Sequence, residues 1–369
     1  MPVPFVDLRR IHDGLKGDLL AEISDLIDAG AFTNGPQVEE FERGFAAYCR
    51  TTDCVGLASG LDALRLVLIA LGLRPGDEVI VPAMTFVATF EAVTQAGGIP
   101  VPVDVLDGEY TLDPSAADAA ATPATRFLVP VHLYGQMADM RALQRLAVHQ
   151  GLAIVEDACQ AHGAERDGLR AGAAGAAGAF SFYPAKNLGA FGDAGALTTN
   201  DAPVAAALRA LREHGQRRKY EHDAAGYTAR LDTIQALVLL RKLTLLDRWN
   251  EDRRRIAAAY SHGLAEVGDL RLPTVPDGSS PVWHLYVVRT ADPTALAEFL
   301  SRRGISTARH YPQPPPLSPA YASLGLSFGA FPVAEAVASE ALSLPIFPGI
   351  SDGEVEAVIE AASDFFGRG

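Results

Sequence analysis

Apolar and polar positions follow two rhythms along this chain. Near the start, Leu15, Leu19, Ile23 and Leu26 recur every three or four residues, the spacing of one helix face. The turn cluster Thr33-Asn34-Gly35-Pro36 interrupts that pattern, and residues 37–50 resume it. From residue 54 the rhythm changes. The apolar run CVGLAS (54–59) precedes a helical stretch at 61–73. Then come DEVIVPA (77–83), TFVATFEAVTQAG (85–97) and IPVPVDV (99–105). RFLVPVHLYG (126–135), a helix through Met140 and Leu146, and AIVEDAC (153–159) follow. FSFY (180–183) and ALTT (196–199) add two more strands. Short apolar strands alternating with helices predict βαβ units and a mostly parallel sheet covered on both faces, an α/β fold. The Ala/Gly stretch at 171–179 predicts a tight glycine turn before a buried strand.

Residues 231–267 contain no proline and place apolar side chains at Leu231, Ile234, Leu237, Val238, Leu245, Trp249, Ile256 and Tyr260. That predicts one long helix, or two joined at a kink, suited to bridging two domains. Beyond it, VWHLYVV (282–288) alternates like a strand. A helix at 294–303, a proline-rich loop at 312–319 and two further helices complete a smaller α+β unit. The expected division is a large domain over 1–250, with an N-terminal arm at 1–35, and a small domain over 251–369. No internal repeat is evident.

Composition narrows the function. The 369 residues suit two domains, and 49% hydrophobic with 21% charged residues excludes a disordered chain. The formal charge of −14 argues against nucleic-acid or anionic-membrane partners. Any phosphate must therefore be held by a local arrangement. Cys49, Cys54 and Cys159 are too few for a disulfide framework, which points to the cytoplasm. The start MPVPFVDLRR lacks an apolar signal core, and no apolar run is long enough to span a membrane.

The chain has no GxxxxGK[ST], HExxH or GxGxxG motif. His132, Asp157 and His162 form a weak metal set, because nothing forces them together, and no metal is expected. Three elements at strand ends carry more. Ser59-Gly60-Leu61-Asp62 turns into a helix and offers free N–H groups and a positive dipole end to a phosphate, although alone it reads as an ordinary helix cap. Asp157 ends an apolar strand, where a carboxylate must be paired or hydrated; alone it also reads as a cap of the next turn. Lys186 follows an apolar strand and a Pro184 turn, with no carboxylate nearby in sequence until Asp193. A poorly solvated lysine becomes an amine nucleophile. A phosphate cup, a buried acid and a buried amine together are what pyridoxal phosphate requires.

The residues also match a known family. TNGPQVEEFE (33–42), ASGLDAL (58–64), GDEVIVPAMTFVAT (76–89), PVHLYG (130–135), IVEDACQAHGA (154–164), FSFYPAKNLGAFGDAGAL (180–197) and GYTARLDTIQA (226–236) resemble, in that order, the DegT/DnrJ/EryC1/StrS sugar aminotransferases. The resemblance implies the fold-type I architecture of pyridoxal-phosphate aminotransferases, with a mostly parallel seven-stranded sheet between helices. It implies that Lys186 binds pyridoxal 5'-phosphate covalently and then moves the proton, and that Asp157 pairs with the ring nitrogen. Gln160 would approach the ring hydroxyl. Gly60, Leu61 and Ser181 would hold the phosphate, Phe86 would stack on the ring, and Asn187, next to the lysine, would also contact the cofactor.

Two positions depart from the family pattern. Thr228 stands where the family usually has an asparagine that reaches the neighbouring subunit's cofactor phosphate. Leu61 stands where a hydroxyl residue is common, which leaves only a backbone contact. Lysine rather than histidine at 186 argues against the branch that removes oxygen.

The implied substrates are L-glutamate and a nucleotide-linked keto-sugar, with shared active sites in a homodimer. The lysine motif looks most like members that aminate a 3-keto-6-deoxyhexose on a thymidine diphosphate carrier. A basic patch of Arg212, Arg217, Arg218 and Lys219, with Tyr220, offers cations to a diphosphate, or is a solvated helix end. Tyr183, Arg230, His310 and Tyr311 are the remaining candidates for substrate contact. The alternatives are amination of a 4-keto-sugar or a cyclitol ketone, and a non-catalytic cofactor-binding regulator. The joint presence of Lys186, Asp157 and Ser181 argues against the last.

Overall fold

In a computed structural model, which describes residues 2–367, seven strands form one sheet. Across the sheet they run Asp53–Leu57, Gly195–Thr199, Ala177–Ser181, Ala153–Asp157, Thr125–Leu128, Glu78–Pro82 and Ile99–Val103. Gly195–Thr199 alone lies antiparallel to its neighbours. The other pairings are parallel, so those strands end on one edge. This is the mostly parallel seven-stranded sheet that the resemblance implied. Helices on both faces bury the strands, and two apolar clusters fill the layers.

Several expected strands are shorter than the apolar runs that announced them. In 126–135 the strand itself ends at Leu128, Val131 adds a single parallel bridge to Asp157, and the chain then enters a tight turn at Leu133–Gly135 with Tyr134 at φ 59°. The run expected at 180–183 is instead the strand Ala177–Ser181, entered from the glycine turn. That turn folds around Glu156, which is fully buried. Its carboxylate accepts the N–H groups of Gly172, Ala174 and Gly175 at 2.9, 2.8 and 2.7 Å, and His132 Nε2 donates at 2.9 Å. Small residues let the backbone come close enough to neutralise a buried acid with dipoles.

The long proline-free segment is two helices, Thr233–Leu243 and Leu246–Gly263, broken at Thr244 and Leu245. Leu246 packs in the sheet core, while Ile256, Ala257 and Tyr260 pack in a second core. That second core is built on the antiparallel pair Tyr286–Arg289 and Ala341–Leu344, covered by Pro293–Arg302 and Asp352–Phe366. The strand Ala341–Leu344 was hidden between two helical signals. Val3 also belongs to this core. Among the described residues, no helix is long and apolar enough to cross a membrane.

Candidate active site

The ends of the parallel strands open into a cavity of about 520 Å³. Asp157 closes the strand Ala153–Asp157, and Ser181 closes Ala177–Ser181. Glu156 and Asp157 are adjacent in sequence, but strand alternation sends them to opposite faces. Glu156 goes into the glycine turn and Asp157 into the cavity wall. The Asp157 carboxylate accepts the Thr89 hydroxyl at 2.8 Å on Oδ2 and the Cys159 N–H at 3.2 Å on Oδ1. Thr89 lies 2.8 Å from the Thr85 hydroxyl, and both threonines are buried. Asp157 is thus both the local cap and a cavity residue.

Ser59 likewise serves twice. Its Oγ accepts the Asp62 N–H at 3.0 Å and caps the helix Gly60–Ala70. The first-turn N–H groups of Gly60 and Leu61 have no intrahelical partner, and both residues line the cavity with Ser181. A Cβ on Gly60 would stand 2.7 Å from Ser181 Cβ and 2.8 Å from Cys159 Sγ, so only glycine lets this helix end meet the strand.

Lys186 sits in the turn after Ser181, its N–H bonded to the Tyr183 carbonyl at 2.8 Å. Burial lowers its pKa from the ordinary lysine value, and the nearby Cys159 and Asp157 oppose that effect. The side chain is half-buried because it opens on the cavity. Gln160 accepts the Tyr134 N–H at 2.7 Å and donates to the Tyr311 hydroxyl at 3.1 Å, which fixes the amide and leaves one N–H for a ligand. Phe86 is half exposed in the wall, 5.5 Å from the Tyr311 ring.

This donor set fits pyridoxal phosphate. A helix N-terminus and a serine suit the phosphate. A hydrogen-bonded carboxylate suits a protonated ring nitrogen, and a poorly solvated amine suits the aldehyde. A model of the DegT/DnrJ/EryC1/StrS aminotransferase family matches residues 14–363.

The chain belongs to the DegT/DnrJ/EryC1/StrS aminotransferase family.

It is 48% identical over 366 residues to the Streptomyces venezuelae protein named dTDP-3-amino-3,4,6-trideoxy-alpha-D-glucose transaminase, covering 99% of this chain and 97% of the relative. The crystal structure of S. venezuelae DesV in complex with a ketimine intermediate superposes with a TM-score of 0.97 at 48% identity, covering 99% of this chain and 98% of that one. Bacillus subtilis NtdA with its bound cofactor PMP superposes at 0.90 with 31% identity, covering 99% of this chain and 85% of that one. The protein is a pyridoxal 5'-phosphate-dependent aminotransferase.

Within this aminotransferase, the cavity gathers Gly60, Leu61, Phe86, Asp157, Gln160, Ser181, Tyr183, Lys186, His310 and Tyr311, all named from the sequence. Asn187, expected at the cofactor, is not in the cavity wall. It stands behind the wall, its Nδ2 donating to Asn250 Oδ1 at 2.9 Å and Val282 O at 2.8 Å, while its Oδ1 faces His284 Nδ1 at 3.2 Å. It positions His284, which does line the cavity.

Thr228, Arg230, Arg217 and Lys219 lie outside the cavity of their own chain. Thr228 Oγ1 is 3.3 Å from His214 Nε2, and Arg230 pairs with Glu213 at 2.8 Å. Arg217 pairs with Asp223 at 3.4 Å on an exposed hairpin, Gln216–Arg218 with Glu221–His222, that also carries Lys219 and Tyr220. Arg212 leaves the basic patch altogether, bonded inside to Glu42 at 2.5 Å and Gly56 O at 2.7 Å.

Sequence reading missed Thr85, Cys159, Arg253, His284, Phe5 and Val6 in the wall. Most come from elements far away in the chain and carry no motif of their own. Asp193, noted only as the first carboxylate after Lys186, also reaches it. Among the described residues no cluster could hold a metal. His132 is engaged by Glu156 and by the Ala138 N–H. His162 donates to Ser181 O at 2.9 Å and is pushed down to about 3, first by burial and then by Lys186.

Proposed function

We propose that this enzyme transfers the amino group of L-glutamate to the ketone of a nucleotide-linked 3-keto-6-deoxyhexose, with thymidine diphosphate as carrier. The observation that carries the reading is the convergence of Lys186, Asp157 and the Gly60–Ala70 helix end in one cavity. The name of the 48% identical relative supports the sugar substrate and the C-3 position.

When bound, the cofactor supplies an electron sink and carries the amino group between the two substrates. The chain's residues do the rest. Gly60 and Leu61 N–H groups and the Ser181 hydroxyl hold the phosphate. Asp157 keeps the ring nitrogen protonated, Gln160 donates toward the ring hydroxyl, and Phe86 covers the ring face. Lys186 Nζ would hold the cofactor's aldehyde and, as a free amine, would move the proton away from the donor's α-carbon. It then delivers a proton to the sugar carbon that gains nitrogen. Its lowered pKa keeps a neutral fraction available for that work. 2-Oxoglutarate leaves after the first half with its keto oxygen taken from one water, and one water is returned as the ketone exchanges its oxygen for the amine.

A homodimer completes this reading. Leu20 and Ile27, on one stripe of the helix Lys16–Ala29, and Phe32 are 58%, 60% and 56% exposed, which supports a covering second copy. Thr228 and Arg230 of that copy would reach the phosphate side, and Arg217 and Lys219 of the hairpin would meet the diphosphate. All three cysteines are free, in keeping with a cytoplasmic enzyme. The test is incubation with L-glutamate and a panel of nucleotide keto-sugars, following 2-oxoglutarate release and the position of the new amine. Release with the 3-keto-6-deoxyhexose is expected. Release only with 4-keto-sugars or a cyclitol ketone would overturn the regiochemistry, and bound cofactor without any release would favour a regulator.

A further inference from the structure

The N-terminal arm supplies a wall of the cavity that the transamination chemistry does not use. Phe5 and Val6 line the cavity. The chain on both sides of them is fastened to the smaller core. Val3 is fully buried there; its N–H donates to Gly304 O at 2.8 Å, and its carbonyl accepts the Ser306 N–H at 2.9 Å. Beyond the pair, Asp7 accepts the Arg9 N–H at 3.0 Å, and Arg10 holds the buried Glu354 with two bonds of 2.7 and 2.9 Å. That guanidinium keeps the Glu354 carboxyl at about 2, so the clasp is charged at any working pH. Phe5 and Val6 are therefore presented from a fixed strap rather than a loose terminus.

Phe5 packs against the apolar cluster that holds Leu285, and Val6 against the one that holds Ile346. The Phe5 ring lies stacked on the His310 imidazole, 5.7 Å between centroids and 21° between planes. Burial pushes His310 down to about 4, which leaves that imidazole neutral. Leu285 and Ile346 line the same cavity. The polar groups assigned to the cofactor all come instead from the strand ends of the larger core. Neither Phe5 nor Val6 carries a side-chain donor or acceptor. A substrate hydroxyl pressed against them loses water without replacement, whereas a methyl or methylene carbon gains from burial.

We propose that Phe5 and Val6 form the contact surface for a deoxygenated carbon of the sugar, so that the arm selects deoxy over hydroxylated keto-sugars. This rests on the keto-sugar reading above. Apolar walls discriminate against an added hydroxyl by about 10–100-fold, and that range is expected for kcat/KM between a 6-deoxy substrate and its 6-hydroxy counterpart on the same nucleotide. Most of the difference should lie in KM.

The experiment compares both substrates with wild type, Phe5→Ala, Phe5→Leu and the isosteric Val6→Thr. Phe5→Ala and Val6→Thr should bring the preference to within about threefold of unity, and Phe5→Leu should retain it. Calorimetry of the two amino-sugar products with cofactor-free protein should give the same order of dissociation constants. If Phe5→Ala fails to fold, Val6→Thr decides alone. A wild-type preference near unity, or one unchanged in Val6→Thr, overturns the proposal while amination itself still proceeds. Absence of 2-oxoglutarate release with every keto-sugar overturns the underlying function instead.

Discussion

Replacing Asp157 by asparagine removes one charge from the site and leaves its shape almost intact. Asp157 is buried, with Cys159 N–H on one oxygen and the Thr89 hydroxyl on the other. In Asp157→Asn the amide oxygen keeps the Cys159 bond. The amide nitrogen faces Thr89, whose hydroxyl can turn and donate to Thr85, 2.8 Å away. Every polar group keeps a partner, so folding stability should change by less than about 1 kcal/mol. What is lost is the attraction for a protonated ring nitrogen. At ~3 Å and an effective dielectric near 20 that attraction is on the order of 5 kcal/mol before desolvation is subtracted. Removing a preorganised group typically costs ~3–4 kcal/mol in the barrier, a slowing of roughly 10²–10³-fold. The assay is the single-turnover half-reaction with L-glutamate, followed through cofactor absorbance, beside a thermal melt of the cofactor-free protein. A rate within about tenfold of wild type at full cofactor occupancy would refute the reasoning. So would a slowing accompanied by a fall of more than about 5 °C in Tm, because the effect would then be structural.

Three further outcomes follow from particular side chains. Lys186→Ala should still bind the cofactor but without a covalent link, seen as no retained mass after borohydride reduction, and turnover should fall at least about 100-fold with the proton carrier gone. Thr228→Asn should tighten pyridoxamine phosphate by about 0.5–1.5 kcal/mol, the worth of one hydrogen bond, in a titration of the dimer; weaker binding would mean that the Thr228 hydroxyl already makes the contact. Lys242 is buried beneath the lysine loop, donating to Gly189 O at 2.5 Å, and burial holds it at about 8, below the ordinary 10.5. The unfolded chain therefore binds more protons between those values, and stability should rise with pH across that window. The gain is on the order of 3 kcal/mol, measured by urea unfolding, and it should vanish in Lys242→Met.

Much of the site was legible because topology does the gathering. Once alternating strands and helices imply a parallel sheet, the residues just past each strand must share one edge. Ser59, Asp157, Ser181 and Lys186 follow from that rule, as do the glycines that let helix and strand close up. Ser59 and Asp157 also show why each was ambiguous alone: both cap their local turn and face the cavity, and the local role hides the other.

Local pattern could not decide residues whose role depends on a distant partner. Glu156 and Asp157 look alike in the sequence, yet one is sealed by the glycine turn and the other reaches the cavity. Thr89 braces a carboxylate 68 residues later, and Asn187, one residue from the lysine, turns away to Asn250 and Val282. Arg212 and Arg217 share a basic stretch, but Glu42 draws only the first inside. The strand Ala341–Leu344 exists because Tyr286–Arg289 needs a ladder partner, and Phe5 faces the cavity because Val3 and Arg10 are clasped to the far end of the chain. Periodicity and turn chemistry determine which elements form, since those depend on neighbours a few residues away. Packing determines which side chains meet, since burial and hydrogen-bond satisfaction are settled between segments hundreds of residues apart.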